Sequence, residues 1–105
     1  MDLSKAIRIA VDTGKVELGS DKTRKLALNG GAKLVIVSSN CPKHVLQDLR
    51  HYCVLSSIPL IEFSKTSIEL GTICGKPFPV SAMSVIDEGN SDIMNAISSE
   101  KRKKN

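Results

Sequence analysis

The chain has 105 residues, is 41% hydrophobic and 25% charged, and holds one Tyr, two Phe and no Trp. That composition suits an ordinary globular chain with its own core and excludes disordered, collagenous and disulfide-stapled classes. The net charge of +4 resides in Lys101, Arg102, Lys103 and Lys104, so residues 1–100 sum to zero and the chain as a whole is not a polycation.

Such a basic tail suits either nucleic-acid contact or solvation. Within the body, residues 20–33 carry Lys22, Arg24, Lys25 and Lys33 against Asp21, and residues 87–92 carry Asp87, Glu88 and Asp92. The expectation is a fold with one basic end and one acidic end. Cys41, Cys53 and Cys74 are odd in number and lack paired spacing, which argues for a reducing compartment. No apolar run nears the roughly 18 residues of a membrane span. The start, Met1-Asp2-Leu3-Ser4-Lys5, has no signal-peptide pattern. A cytoplasmic location without a membrane partner is therefore expected.

Leu3, Ala6, Ile7, Ala10 and Val11 recur at helical spacing, and Gly14 is a stop. Val16-Glu17-Leu18 alternates as a short strand. Gly19-Ser20 opens a second helix with Ser20 as its N-cap, and Asn29-Gly30-Gly31 ends it. Leu34-Val35-Ile36-Val37 is apolar without alternation, which reads as a central strand covered on both faces. A buried helix segment would look alike, but the bounding Gly and Pro favour a strand. Pro42 suits the first position of a helix whose stripe is Val45, Leu46, Leu49, Tyr52 and Cys53.

Ile58-Pro59-Leu60-Ile61 reads as a brief strand, and Thr66-Ser67-Ile68-Glu69 as a capping box opening a short helix that ends at Gly75. Lys76-Pro77-Phe78-Pro79 is a loop stiffened by two prolines. Val80 to Ile86 is the last strand, Asp87 to Asn90 a turn, and Ile93, Met94 and Ile97 mark a closing helix. Alternation of this kind predicts an α/β fold, a three-layer α/β/α sandwich around a four-stranded mixed sheet. Residues 1–98 are expected to form one domain, with 99–105 as a basic tail.

No catalytic set assembles. His44 and His51 share a helical face near Cys41, but no second cluster offers standard metal-ligand spacing, so surface histidines and no metal are expected. Cys41 near a helix N-terminus could be an activated thiol, yet no His or acid is placed to act with it. Gly71-Thr72-Ile73-Cys74-Gly75 resembles a phosphate loop only loosely, without a Walker Lys-Ser/Thr pair or the three-glycine dinucleotide spacing. A nucleotide-binding enzyme is thus a remote alternative, and no cofactor is expected.

The stronger constellation is spatial. Strand ends in this order can bring Gly19-Ser20, Asn40-Cys41 and Gly71 to Phe78 to one edge. Helix amides with Lys22, Lys25 and Lys76 suit phosphates, an Asn amide suits base edges, and an exposed Phe78 would stack on an unstacked base. On pattern alone Phe78 fits a core position equally well.

These residues carry a resemblance. Lys15-Val16-Glu17-Leu18-Gly19, Gly30 to Val37 with Asn40, Tyr52 to Ser56, Glu69 to Phe78 and Ser84 to Asp87 resemble the kink-turn RNA-binding ribosomal protein family, in its archaeal and eukaryotic "L thirty e" branch. The resemblance runs from the first helix to about Ile97. It implies a structural protein of the large ribosomal subunit that binds a kink-turn of ribosomal RNA, beside neighbouring ribosomal proteins, and that is monomeric when isolated. It implies an RNA-binding set of Gly19, Ser20, Asp21, Lys22, Lys25, Asn40, Cys41, Gly71, Thr72, Gly75, Lys76 and Phe78. Asp21 departs from the branch, which often has a basic residue there; Lys22 follows it. A guide ribonucleoprotein or a regulatory messenger element is the alternative setting for the same RNA shape.

Overall fold

The computed structural model describes residues 3–89 and Ile93. The elements run α1 (Leu3–Thr13), β1 (Lys15–Leu18), α2 (Ser20–Asn29), β2 (Leu34–Val37), α3 (Lys43–Ser56), β3 (Leu60–Glu62), α4 (Ser67–Ile73) and β4 (Ala82–Asp87). The closing helix expected around Ile93, Met94 and Ile97 lies outside the described residues except for Ile93, which is helical and buried.

The sheet is four-stranded and mixed, in the order β1-β4-β2-β3. β2 is central and fully buried, because its neighbours pair with it on both sides and helices cover both faces. Alternation along β2 sends Leu34 and Ile36 to one core and Val35 and Val37 to the other. The first core holds Leu3, Ala6 and Ile7 of α1 with Leu70 and Cys74 near α4. The second holds Ala27 of α2 with Val45, Leu49 and Cys53 of α3. The predicted three-layer α/β/α arrangement is therefore the observed one.

β4 is antiparallel to both β1 and β2, whereas β2 and β3 run parallel. The carboxyl ends of β1, β2 and β3 thus meet the start of β4 at one edge of the sheet.

Three local expectations are corrected. The N-cap of α2 is Gly19 rather than Ser20, and no side chain caps that end. Pro42 is the N-cap of α3 rather than its first helical residue, with an extended ψ of 140°. The basic and acidic stretches do not occupy opposite ends: the Lys33 amide donates to the Val85 carbonyl (2.8 Å), and its ammonium pairs with Glu88 at 3.2 Å. That contact, after the Glu88 backbone amide, holds the Glu88 carboxyl below its usual range.

Candidate nucleic-acid interface

A belt of hydrogen bonds ties the edge together. The Gly19 amide donates to the Ala82 carbonyl (2.9 Å), Ser38 to Ser81 (2.9 Å), Ser39 to Lys65 (2.9 Å) and Val80 to Ser67 (2.9 Å). Across the same edge, the Ser67 amide donates to Asn40 Oδ1 at 2.8 Å, and the Ser38 hydroxyl donates to that oxygen at 2.9 Å. The ends of β1, β2 and β3, the start of α4 and the segment entering β4 are therefore one connected surface.

Asn40 is the keystone of that belt. A backbone N–H is an obligate donor, so the atom facing Ser67 must be the amide oxygen. Among the described residues the Asn40 NH2 meets no acceptor, and it stands on an exposed residue, with two donors of the kind that suit base acceptors. Ser38 and Ser67 orient it, and no local sequence pattern singles them out. Only their proximity in the fold reveals the role, since Ser67 lies 27 positions along the chain from Asn40.

Gly19 has φ +115°, where an L side chain would be strained, and nothing lies within 4 Å of where a Cβ would stand. The backbone there is open to close approach. Ser20 follows, half-exposed, at the first turn of α2. Lys22 is 70% exposed and rests 3.6 Å from Glu17, a weak surface pair. Lys25 is exposed one turn further from the edge. Asp21 turns away: its carboxylate accepts from Arg24 at 2.6 Å, and the same guanidinium reaches Asp48 on α3 at 3.1 Å. Those two bonds, Asp21 first, raise the Arg24 pKa.

Phe78 is 49% exposed, which decides between the two positions its pattern allowed. Gly71, buried on α4, lets the Phe78 carbonyl come so close that a Cβ would collide with it. Phe78 lines a cleft of about 290 Å³ together with Ile68 and Thr72, one turn apart on α4, and with Lys76, Pro77 and Pro79. The Thr72 hydroxyl is committed to the Ile68 carbonyl (3.1 Å). Gly75 sits beyond the far end of the helix against Arg8 of α1, about 12 Å from Ser67 at 1.5 Å per residue. Gly75 is thus not brought to the edge.

Cys41 packs half-buried against the core beneath α2 and α3. Desolvation raises its thiol pKa, the opposite of what a nucleophile at a helix N-terminus needs. Cys53 and Cys74 are buried and pushed up to about 11. The loose phosphate-loop likeness also dissolves: residues 71–73 are helical, and the amides of Cys74, Gly75 and Lys76 donate to the carbonyls of Leu70, Thr72 and Gly71. Amides bonded within the chain cannot cradle a phosphate. Both histidines are exposed, and among the described residues no group of three or more His, Cys, Asp or Glu could hold a metal.

A family model matches residues 1–95, that of the "Ribosomal protein L7Ae/L30e/S12e/Gadd45 family". The chain belongs to this family. It is 53% identical over 97 residues to the large ribosomal subunit protein eL30 of Methanocaldococcus jannaschii, covering 92% of this chain and 88% of the relative. With the eL30 of Methanococcus maripaludis it shares 51% over 100 residues, 95% of this chain and 100% of that protein. Among solved structures, a protein of unknown function from Bacillus halodurans C matches with a TM-score of 0.78 at 25% identity, covering 91% of this chain and 95% of the other. Membership of this family bears out the resemblance carried by Gly30 to Val37 and Glu69 to Phe78. Both relatives are named as proteins of the large ribosomal subunit.

Proposed function

We propose that this chain is a structural protein of the large ribosomal subunit, located in cytoplasmic ribosomes, and that it holds a kink-turn of ribosomal RNA at the edge centred on Asn40. The observation that carries the reading is Phe78: a half-exposed ring, flanked by two prolines and pinned by its main chain to Gly71, beside a surface of open backbone and free amide donors. Such a ring is pre-organised to receive one unstacked base. Gly19, Ser20 and Asn40 would meet base edges and sugars, and Lys22, Lys25 and Lys76 the phosphates. Thr72 lines the cleft that holds Phe78, and Gly71 admits the Phe78 carbonyl beside it. Asp21 acts by holding Arg24, and Cys41 by filling the core beneath Asn40. Residues 1–98 constitute the RNA-binding domain in this reading, and 99–105 add charge without reading shape. The partners are ribosomal RNA and neighbouring ribosomal proteins, with a monomer in isolation.

The test is a pair of RNAs of equal length and composition, one with a kink-turn and one a straight duplex, titrated by filter binding at several salt concentrations. Clear preference for the kinked RNA at each salt is expected. Equal affinity for both would refute the reading. The eL30 names of the relatives favour the ribosome over a guide ribonucleoprotein or a messenger element, and crosslinking of bound RNA from cells would expose either of those.

A further inference from the structure

We infer that Asn40 also positions the Phe78 ring: its amide oxygen holds Ser67, and Ser67 fixes the loop that carries the ring. The inference rests on the kink-turn reading above and deepens it, by making the base-edge reader and the stacking group one coupled unit.

α4 has only seven residues. A helix that short is marginal by itself, so the contacts at its ends decide where it stands. At its start, Thr66 Oγ1 accepts from the Glu69 amide at 3.4 Å, a long bond. Asn40 Oδ1 accepts from the Ser67 amide at 2.8 Å, a shorter bond that comes from the loop after β2. One residue before Asn40, the Ser39 amide donates to the Lys65 carbonyl at 2.9 Å, so the two segments meet twice. Of these two crossings, only the Asn40 bond reaches the helix itself. The oxygen is anchored on its own side too. Buried Ser38 donates its hydroxyl to it at 2.9 Å and its amide to the Ser81 carbonyl at 2.9 Å.

The loop after α4 returns to the same residue. The Lys76 amide donates to the Gly71 carbonyl at 2.9 Å, the Phe78 carbonyl lies against Gly71, and the Val80 amide donates to the Ser67 carbonyl at 2.9 Å. The chain thus leaves α4, doubles back along it and ends at Ser67. Ser67 is held from both sides, by Asn40 on its N–H and by Val80 on its carbonyl. Phe78 stands two residues before Val80, and Pro77 and Pro79 leave the segment between them few conformations. A shift of Ser67 is therefore passed to the ring rather than absorbed.

Ser67→Pro cuts this link and little else. Ser67 is the first residue of α4, where the helix makes no use of the N–H and proline is favoured. Thr66 before it is extended, at φ −72° and ψ 169°, as suits a residue preceding proline. Ser67→Ala keeps the N–H and is the reference. Each is made in the full chain, with Phe78 and with Phe78→Ala, and titrated with kinked RNA. Relative to Ser67→Ala, Ser67→Pro should bind about five-fold more weakly, the worth of one hydrogen bond. Phe78→Ala should then cost about five-fold less in the Ser67→Pro protein than in the Ser67→Ala protein. An equal Phe78→Ala cost in both would overturn the inference, because a residue that only adds stability, or only reads a base, leaves that factor unchanged. Should Ser67→Pro fail to fold, Asn40→Asp and Asn40→Ala replace the pair. Both lack the amide donors, and only Asn40→Asp keeps the oxygen. The Phe78→Ala cost should then persist in Asn40→Asp and shrink in Asn40→Ala, and equal costs would again overturn the inference. Failure of the kink-turn reading has a different signature: wild type binds kinked and straight RNA alike. Amide hydrogen exchange of the free protein then decides. Faster exchange across residues 75–80 in Ser67→Pro than in Ser67→Ala upholds the positioning role, and equal exchange overturns it.

Discussion

Phe78→Ala separates recognition from stability in a single variant. The ring is 49% exposed, so truncation removes about half of the 1.5–3 kcal/mol that full burial of a Phe contributes, near 1 kcal/mol. For a chain of this size that lowers the melting temperature by about 4–8 °C. A core Phe would cost about 3–5 kcal/mol. Binding behaves differently. Stacking of one base on an aromatic is worth about 1–3 kcal/mol by alanine substitution. Affinity for kinked RNA should therefore fall roughly 5- to 150-fold. Affinity for straight duplex should hardly change, because its bases are already stacked. Phe78→Tyr should be nearly neutral in both respects, since the added hydroxyl points from a ring that already meets solvent. Calorimetric melting and titrations of both RNAs on the same preparations decide the matter. Equal weakening on the two RNAs, or a stability loss of core size without change in discrimination, would refute the stacking role.

Asn40→Asp keeps the acceptor for Ser67 and Ser38 at the start of α4, where a carboxylate is favourable, so melting should be unchanged or slightly raised. It removes the amide donors and adds charge, so RNA affinity should fall more than tenfold. Asn40→Ala should lose about 1–3 kcal/mol of stability as well, by stranding the Ser67 amide; stable Asn40→Ala protein would contradict the keystone role. Thr23 Oγ1 is fully buried and has no hydrogen-bond partner among the described residues. Thr23→Val should therefore raise stability by about 1 kcal/mol in urea unfolding, and a loss of that size would show that the hydroxyl is satisfied. Cys53 and Cys74 titrate near 11 in the folded chain, raised from 9.0 by burial. Because the folded pKa is the higher one, their contribution is intact below about pH 9 and is lost as pH rises toward about 11. In native protein at neutral pH these two thiols should resist thiol reagents until urea unfolds the chain.

Much of the architecture was legible from local pattern. Leu34 to Val37 announced a strand buried on both faces because four consecutive apolar residues leave no wet side. Alternation of helix and strand implied layers on both sides of a sheet, and the Glu69 to Phe78 segment carried the family. The capping box was half right. Thr66 accepts from the Glu69 amide at 3.4 Å, but the Glu69 carboxylate turns instead to Lys65 at 4.0 Å, a choice set by which charge stands nearby.

Composition and periodicity by themselves determined the element order, the two apolar faces of β2 and the chemical types available for RNA. Those depend on short-range spacing, which the chain carries locally. Tertiary structure alone decided that β4 enters between β1 and β2, because strand pairing is settled by contacts far apart in sequence. That insertion places Lys33 against Glu88 and removes the expected separation of charge. The parallel pairing of β2 with β3 sets the segments after them side by side and brings Ser67 to Asn40, fixing which way a symmetric-looking amide faces. Phe78 lies outside the core for the same kind of reason. A glycine seven residues earlier admits its carbonyl against α4, and a contact made by the absence of a side chain leaves no periodic trace to read.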